Sequence, residues 1–184
     1  MVEFKTFEGW HQEIWEKVRP IYEQAFSNRG GKPEKVIRYM LLKGISSLHI
    51  AYIGDRAVGM ALTGCLNGGR ALVIDYLAVD QDYRNQGIGR KLVAYIKRWA
   101  TEKGLFDSII IEIEADHSDE NSKRRHFWEE CHFTLTDYVH HYIWVPEPYQ
   151  AMYLPLVPAS NVPVEGKALF RYIGKFHKES FREA

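Results

Sequence analysis

The sequence predicts an α/β (α+β) fold, a mixed sheet flanked by helices, and three observations carry that expectation. Residues 71–92, ALVIDYLAVD followed by QDYRNQGIGRKL, read as strand, polar turn and helix. Two apolar runs, residues 48–53 and 57–62, are joined by a turn short enough for antiparallel neighbours. Apolar residues recur every three or four positions over residues 10–26, again after the glycines of the 71–92 stretch, and near the C-terminus. With 184 residues, the chain suits one well-buried domain and is short for two.

In chain order, residues 2–7 alternate apolar and polar, as an edge strand does. Trp10, Ile14, Trp15, Val18, Ile21, Tyr22, Ala25 and Phe26 form one helix face, and Pro20 within it implies a kink or two shorter pieces. Residues 27–33 are turn formers, and Pro33 opens a second helix that ends near Gly44. Arg29, Lys32 and Arg38 read as cations on a solvated face. Asn67, Gly68 and Gly69 reverse the chain into the strand at 71–79. Leu92, Val93, Tyr95, Ile96 and Trp99 then mark a helix ending before Gly104. Residues 106–114 have the β-branched content of a central strand, with Glu112 and Glu114 on one face. A helix starts at residues 118–121, and a strand at 134–145 carries Tyr138, Tyr142 and Trp144 on one face. Four prolines then surround a last short strand at 151–154, and a terminal helix spans 166–182. The expected division is a core of residues 1–145 and an extension, 146–184, packed on the same domain. Packing or self-association as a homodimer is the role open to that extension.

Lys plus Arg balances Asp plus Glu at 24 each, so no net field recommends nucleic acid or an anionic membrane as partner. Cys65 and Cys131 are the only cysteines and lack the spacing of a zinc site or disulfide framework. No metal is expected. No run approaches the roughly 20 apolar residues that span a bilayer, and the N-terminus lacks a signal-peptide layout, so a soluble cytoplasmic protein is the expectation.

Chemistry concentrates at Gly87 and Gly89. Lacking a Cβ, they let an anion approach the backbone while the free N–H groups of the first helical turn point at it. No Gly-Lys-Ser/Thr follows, and Arg90 breaks the dinucleotide fingerprint, so neither common nucleotide motif fits. Arg84-Asn85-Gln86-Gly87-Ile88-Gly89, after a strand ending Leu77-Ala78-Val79-Asp80, resembles the Arg/Gln-x-x-Gly-x-Gly pyrophosphate loop of the GCN5-related N-acetyltransferase (GNAT) superfamily. Residues 121–133, NSKRRHFWEECHF, are similar to that family's Asn-x-x-Ala-x-x-Phe-Tyr-x-x-x-Gly-Phe. Arg124 stands for the small residue, Trp128 for the tyrosine and His132 for the glycine.

The resemblance implies a sheet whose central parallel strands splay, with acetyl-CoA as co-substrate in the opening. Leu77, Ala78 and Val79 would pair with the pantetheine arm, and Arg84, Asn85, Gln86, Gly87, Ile88, Gly89 and Arg90 would surround the pyrophosphate. Asn121 would contact the cofactor arm, unless it serves as a helix cap, and Trp128 would sit near the thioester. The implied reaction is direct attack by a primary amine, from a small molecule or a peptide amino group. The Val79 N–H would serve the oxyanion, and Asp75 or Glu112 would be the base, although either carboxylate is as well explained by an ion pair. An indole N–H does not release its proton usefully, so the acid would fall to Tyr76, Tyr138 or solvent. Cys131 reads as an inert thiol. The alternative is a catalytically silent acyl-CoA-binding module.

Overall fold

The computed structural model describes residues 1–183. Strands and helices follow as β1 (Val2–Glu8), α1 (Gln12–Phe26), α2 (Glu34–Leu42), β2 (Ser46–Ile53), β3 (Arg56–Gly64), β4 (Ala71–Val79), α3 (Ile88–Lys103), β5 (Ser108–Glu114), α4 (Asp119–Glu130), β6 (Thr134–His141), β7 (Pro148–Pro155) and α5 (Gly166–Ser180). They form one seven-stranded sheet in the order β1-β2-β3-β4-β5-β7-β6. Among the described residues, only β4 and β5 pair in parallel. Apolar residues on both sheet faces demand two helical layers. Trp15, Val18, Ile37, Met40, Leu169 and Phe176 from α1, α2 and α5 pack on one face. Leu92, Val93, Ile96 and Ala100 of α3, with Phe127 and Trp128 of α4, cover the other.

β1 is the expected edge strand, and Pro20 sits inside one continuous helix. One expectation needs correction, and one strand takes a place the sequence did not assign. The strand after α4 stops at His141, where its pairing with β7 ends opposite Pro148, so Tyr142 and Trp144 lie beyond it. The short strand in the proline-rich segment is last in the chain but internal to the sheet, because β7 inserts between β5 and β6.

One irregularity shapes the site. The β3–β4 register shifts between Leu62 and Thr63, whose partners are Tyr76 and Ile74, so Asp75 is an extra residue in β4. Such a bulge bends and twists its strand. It also puts Asp75 and Tyr76 on the same face, that of α1 and α5. Directly before it, β4 and β5 lose contact: their pairing covers Ala71/Ser108, Leu72/Ile109 and Val73/Ile110 and no more. Each strand keeps its outer neighbour, β4 with β3 to Val79 and β5 with β7 to Glu114. A cleft opens between them.

His49 is fully buried, its ring nitrogens bonded to the hydroxyls of Thr6 and Thr63 at 2.8 Å each. Burial pulls its pKa from 6.5 down to about 3. The unfolded chain binds a proton there below pH 6.5 while the fold refuses it, so His49 destabilises the protein as pH falls from 6.5 toward 3. The slope is at most about 1.4 kcal/mol per pH unit. Urea melts at pH 7 and pH 5 should show this loss, and His49→Gln should remove it.

Candidate active site

The cleft wall formed by β4 presents backbone. In antiparallel ladders, bonded and non-bonded pairs alternate. The Asp80 N–H donates to the Val58 carbonyl at 3.0 Å, which makes Gly59/Val79 and Ala61/Leu77 the non-bonded pairs. Leu77 and Val79 therefore turn their amides away from β3, toward the side that β5 has left. The Val79 carbonyl accepts from Arg84 Nε at 3.1 Å, leaving the Val79 N–H as the donor at the cleft.

Just beyond lies the start of α3. Gly87 is its N-cap at φ 75°, and among the described residues no side chain caps the helix. Asn85 also takes a left-handed φ of 61°. The first-turn amides of Ile88, Gly89 and Arg90 have no intrahelical acceptor, and they add to the positive end of the helix dipole. A Cβ at Gly87 would meet open space, whereas one at Gly89 would press on the Phe127 ring at 3.2 Å. Gly87 thus serves backbone conformation and Gly89 close packing. Arg84 and Arg90 are both exposed, and Arg90 pairs with Glu130 at 3.2 Å. The Gln86 amide reaches back to the Asp82 carbonyl.

On the α1 and α5 side, Asp75, Lys32, His177, Glu112 and Tyr142 connect in a polar chain. Two tyrosines hold the α1–α2 loop: Tyr22 donates its hydroxyl proton to the Lys32 carbonyl, and the Lys32 N–H donates to the Tyr76 oxygen, each at 2.9 Å. This drives the Lys32 side chain inward, where its ammonium donates to Asp75 at 2.6 Å and lies 3.2 Å from His177 Nδ1. Lys32 and Asp75 side chains are each 3% exposed. The aromatic faces of Tyr76 and Phe176 flank the ammonium at 5.3 and 5.5 Å. His177 Nε2 lies 2.6 Å from one Glu112 oxygen, and the Tyr142 hydroxyl donates to the other at 2.6 Å. A neutral imidazole donating from Nε2 to Glu112 leaves a lone pair at Nδ1 for the ammonium; the other tautomer would set an N–H against it. Burial raises the Glu112 pKa, but the His177 contact, the Tyr142 hydroxyl and the Lys32 charge together hold it below the usual carboxylate range. With His177 as this neutral tautomer, two carboxylates and one ammonium leave a single surplus negative charge, at the partly open Glu112 end.

The remaining expected residues have other partners. Tyr76 donates to the Gly30 carbonyl at 3.3 Å, and burial, with Asp75 adjacent, pushes its pKa far upward, so its proton is held firmly. The cap of α4 is Ser118, which accepts from the Asn121 N–H. The Asn121 amide donates to Glu114 and Asp116 and accepts from Arg124, tying α4 to the end of β5. Trp128 stands edge-on to Phe127 and Phe133, both at 5.1 Å. Tyr138 lies beside His140 and Phe170. Burial raises the Cys131 thiol to about 11, fitting an inert role. Lys32 corrects the expectation of a solvated cation. Arg29 meets Glu120 at 2.6 Å in an exposed pair, and Arg38 stacks over Trp10. A cavity of about 680 Å³ lies elsewhere, at the far end of β4 beside Cys65 and Arg70.

A family model described as the acetyltransferase (GNAT) family matches residues 10–133. The chain belongs to that family. As a GNAT protein it is an acyltransferase with acetyl-CoA as co-substrate. Solved structures share the fold at low identity. The ribosomal-protein-S18-alanine N-acetyltransferase from Escherichia coli is 17% identical over 88% of this chain and 97% of that one, with a TM-score of 0.66. An aminoglycoside 6'-N-acetyltransferase complexed with coenzyme A is 15% identical over 86% and 99%, with a TM-score of 0.69. A Bacillus subtilis acetyltransferase in complex with CoA is 15% identical over 85% and 100%, with a TM-score of 0.62. No curated protein matches the sequence. Among the described residues, no helix is long and apolar enough to cross a membrane.

The uncapped start of α3 and the outward amides of Leu77 and Val79 fit the GNAT co-substrate, offering donors to a diphosphate and strand-like pairing to an amide-bearing arm. Three residues of the polar chain, Lys32, Tyr142 and His177, were not among those assigned to the site from sequence. A carboxylate at an inward position of the apolar run ALVID signals a buried cation, but which one it takes is set by the fold.

Proposed function

We propose that the protein is an N-acetyltransferase that moves the acetyl group of acetyl-CoA to a primary amine by direct attack. One observation carries the reading: Glu112, with the surplus negative charge of its network, stands on β5 where that strand has left β4, in the cleft toward which the Val79 amide turns. Glu112 holds the acceptor as its ammonium and takes the proton, directly or through a water. The freed lone pair attacks the thioester carbonyl, whose oxygen gathers charge against the Val79 N–H. The carbon–sulfur bond breaks, and the thiolate takes its proton from solvent, because the Tyr76 and Tyr142 hydroxyls are engaged with Gly30 and Glu112. Asp75 serves through Lys32, Asn121 through Glu114 and Asp116, and Trp128 through Phe127, which backs the Gly89 turn.

A single observation favours a silent acyl-CoA-binding module instead: Asp75 and Glu112 are both paired. Screening primary amines, aminoglycosides, polyamines and peptide amino termini for release of free CoA separates the two readings. Thermal stabilisation by acetyl-CoA with no release from any acceptor would leave the silent module. The cradle has its own check. Gly87→Val forces a β-branched residue into left-handed backbone. The acetyl-CoA-induced rise in melting temperature should then shrink or vanish, and an undiminished rise would remove Gly87 from the binding loop.

A further inference from the structure

Helix α5 lies wholly beyond the family-matched residues 10–133, yet His177 reaches from it into the cleft and touches groups from three other elements. On one side are Lys32 of the α1–α2 loop at 3.2 Å and Asp75 of β4 at 4.0 Å; on the other is Glu112 of β5 at 2.6 Å. We propose that α5 completes the active site, with His177 as the positioning residue that orients the Glu112 carboxylate for the acceptor amine. The inference rests on the reading of Glu112 as the residue that receives the amine.

The geometry argues for positioning rather than for proton transfer by His177 itself. Its Nε2 proton belongs to the Glu112 contact, and its Nδ1 lone pair faces an ammonium that is 3% exposed. With both nitrogens occupied, the ring has one preferred orientation. Glu112 in turn has one oxygen on His177 and one on Tyr142, so its carboxylate plane is fixed from two directions. Packing supports the arrangement: Phe176, the preceding residue, is fully buried and anchors this turn of α5 in the core. The charged and titratable groups facing the pair are Lys32, Asp75, Tyr142, Tyr149 and His140. Of these, only Lys32 is a standing cation, so loss of His177 exposes Glu112 to burial with less compensation.

The test compares wild type, His177→Gln and His177→Phe in the full chain with the acceptor found by the amine screen. Phe removes the donor, and kcat/KM should fall about ten- to hundredfold from misorientation. The acid limb of its pH profile should move to higher pH, since burial of Glu112 is then less opposed. Gln restores a donor to Glu112 and should return part of both effects. The acetyl-CoA-induced melting shift should be the same in all three. Profiles that superimpose across the three proteins would overturn the role of His177 while leaving the acetyltransferase reading intact. A wild type that releases CoA with no amine would overturn that reading and this inference with it. A readout independent of turnover is ¹⁵N NMR of the imidazole: His177 should show the Nε2–H tautomer, and its Nε2 signal should move in Glu112→Gln. An Nδ1–H tautomer, or an Nε2 signal unmoved by Glu112→Gln, would overturn the contact on which the proposal depends.

Discussion

Lys32→Met is expected to destabilise the protein by about 3–5 kcal/mol, the range for removing one partner of a buried ion pair. The ammonium and the Asp75 carboxylate are 2.6 Å apart, and both side chains are 3% exposed. Methionine fills similar volume, so the cost is electrostatic: Asp75 keeps its desolvation and loses the charge that compensates it. The same logic makes a second claim. In Lys32→Met/Asp75→Leu, neither charge is buried, and most of the lost stability should return even though an ion pair is gone. Urea melts of the wild type, both single variants and the double variant give the coupling. If Lys32→Met melts within about 1 kcal/mol of wild type, well under that buried-pair range, the pair is not the closed, dry contact described.

The strand-turn-helix at residues 71–92, the β2–β3 hairpin and the faces of α1, α3 and α5 were legible because each depends on residues near in sequence. Turn chemistry and periodicity act over a few residues. What stayed hidden depends on distant partners. Lys32 looks like Arg29 and Arg38 in a loop of turn formers, and its burial follows from Tyr22, Tyr76, Asp75 and His177, up to 145 positions away. Nothing in residues 148–155 announces that they will enter between β5 and β6, since that order is fixed by pairing with both. The bulge at Asp75 is set by its pairing with β3. His177 did leave a trace. Phe170, Ile173 and His177 recur at helical spacing, and a histidine at an apolar-face position needs a polar partner in the fold. Read together with a carboxylate at position 75 inside an apolar strand, that spacing points to a buried polar site, though not to Glu112 as a member.

Glu112→Gln should lower kcat/KM by about 10²–10⁴-fold, as removal of a general base does, while leaving the acetyl-CoA-induced melting shift in place. Glutamine preserves shape and still accepts one hydrogen bond from His177 or Tyr142, so stability should change little. The variant loses the surplus charge that holds an ammonium, and acceptor KM should rise along with the fall in kcat. The pH dependence is distinctive. A Glu112 held below the usual carboxylate range, about 4.3 for a free glutamate, stays ionised through pH 5–7, so an acid limb in that window cannot come from its protonation. The rate should therefore stay level through that window, because Glu112 remains ionised and an acceptor amine with a lysine-like pKa remains an ammonium. A weakly basic carboxylate draws a proton from that ammonium at a thermodynamic cost, which forms part of the barrier to attack. If Glu112→Gln keeps kcat/KM within about threefold of wild type, far short of a general-base loss, the acceptor amine is deprotonated elsewhere, and the surplus charge of this network has no part in the reaction.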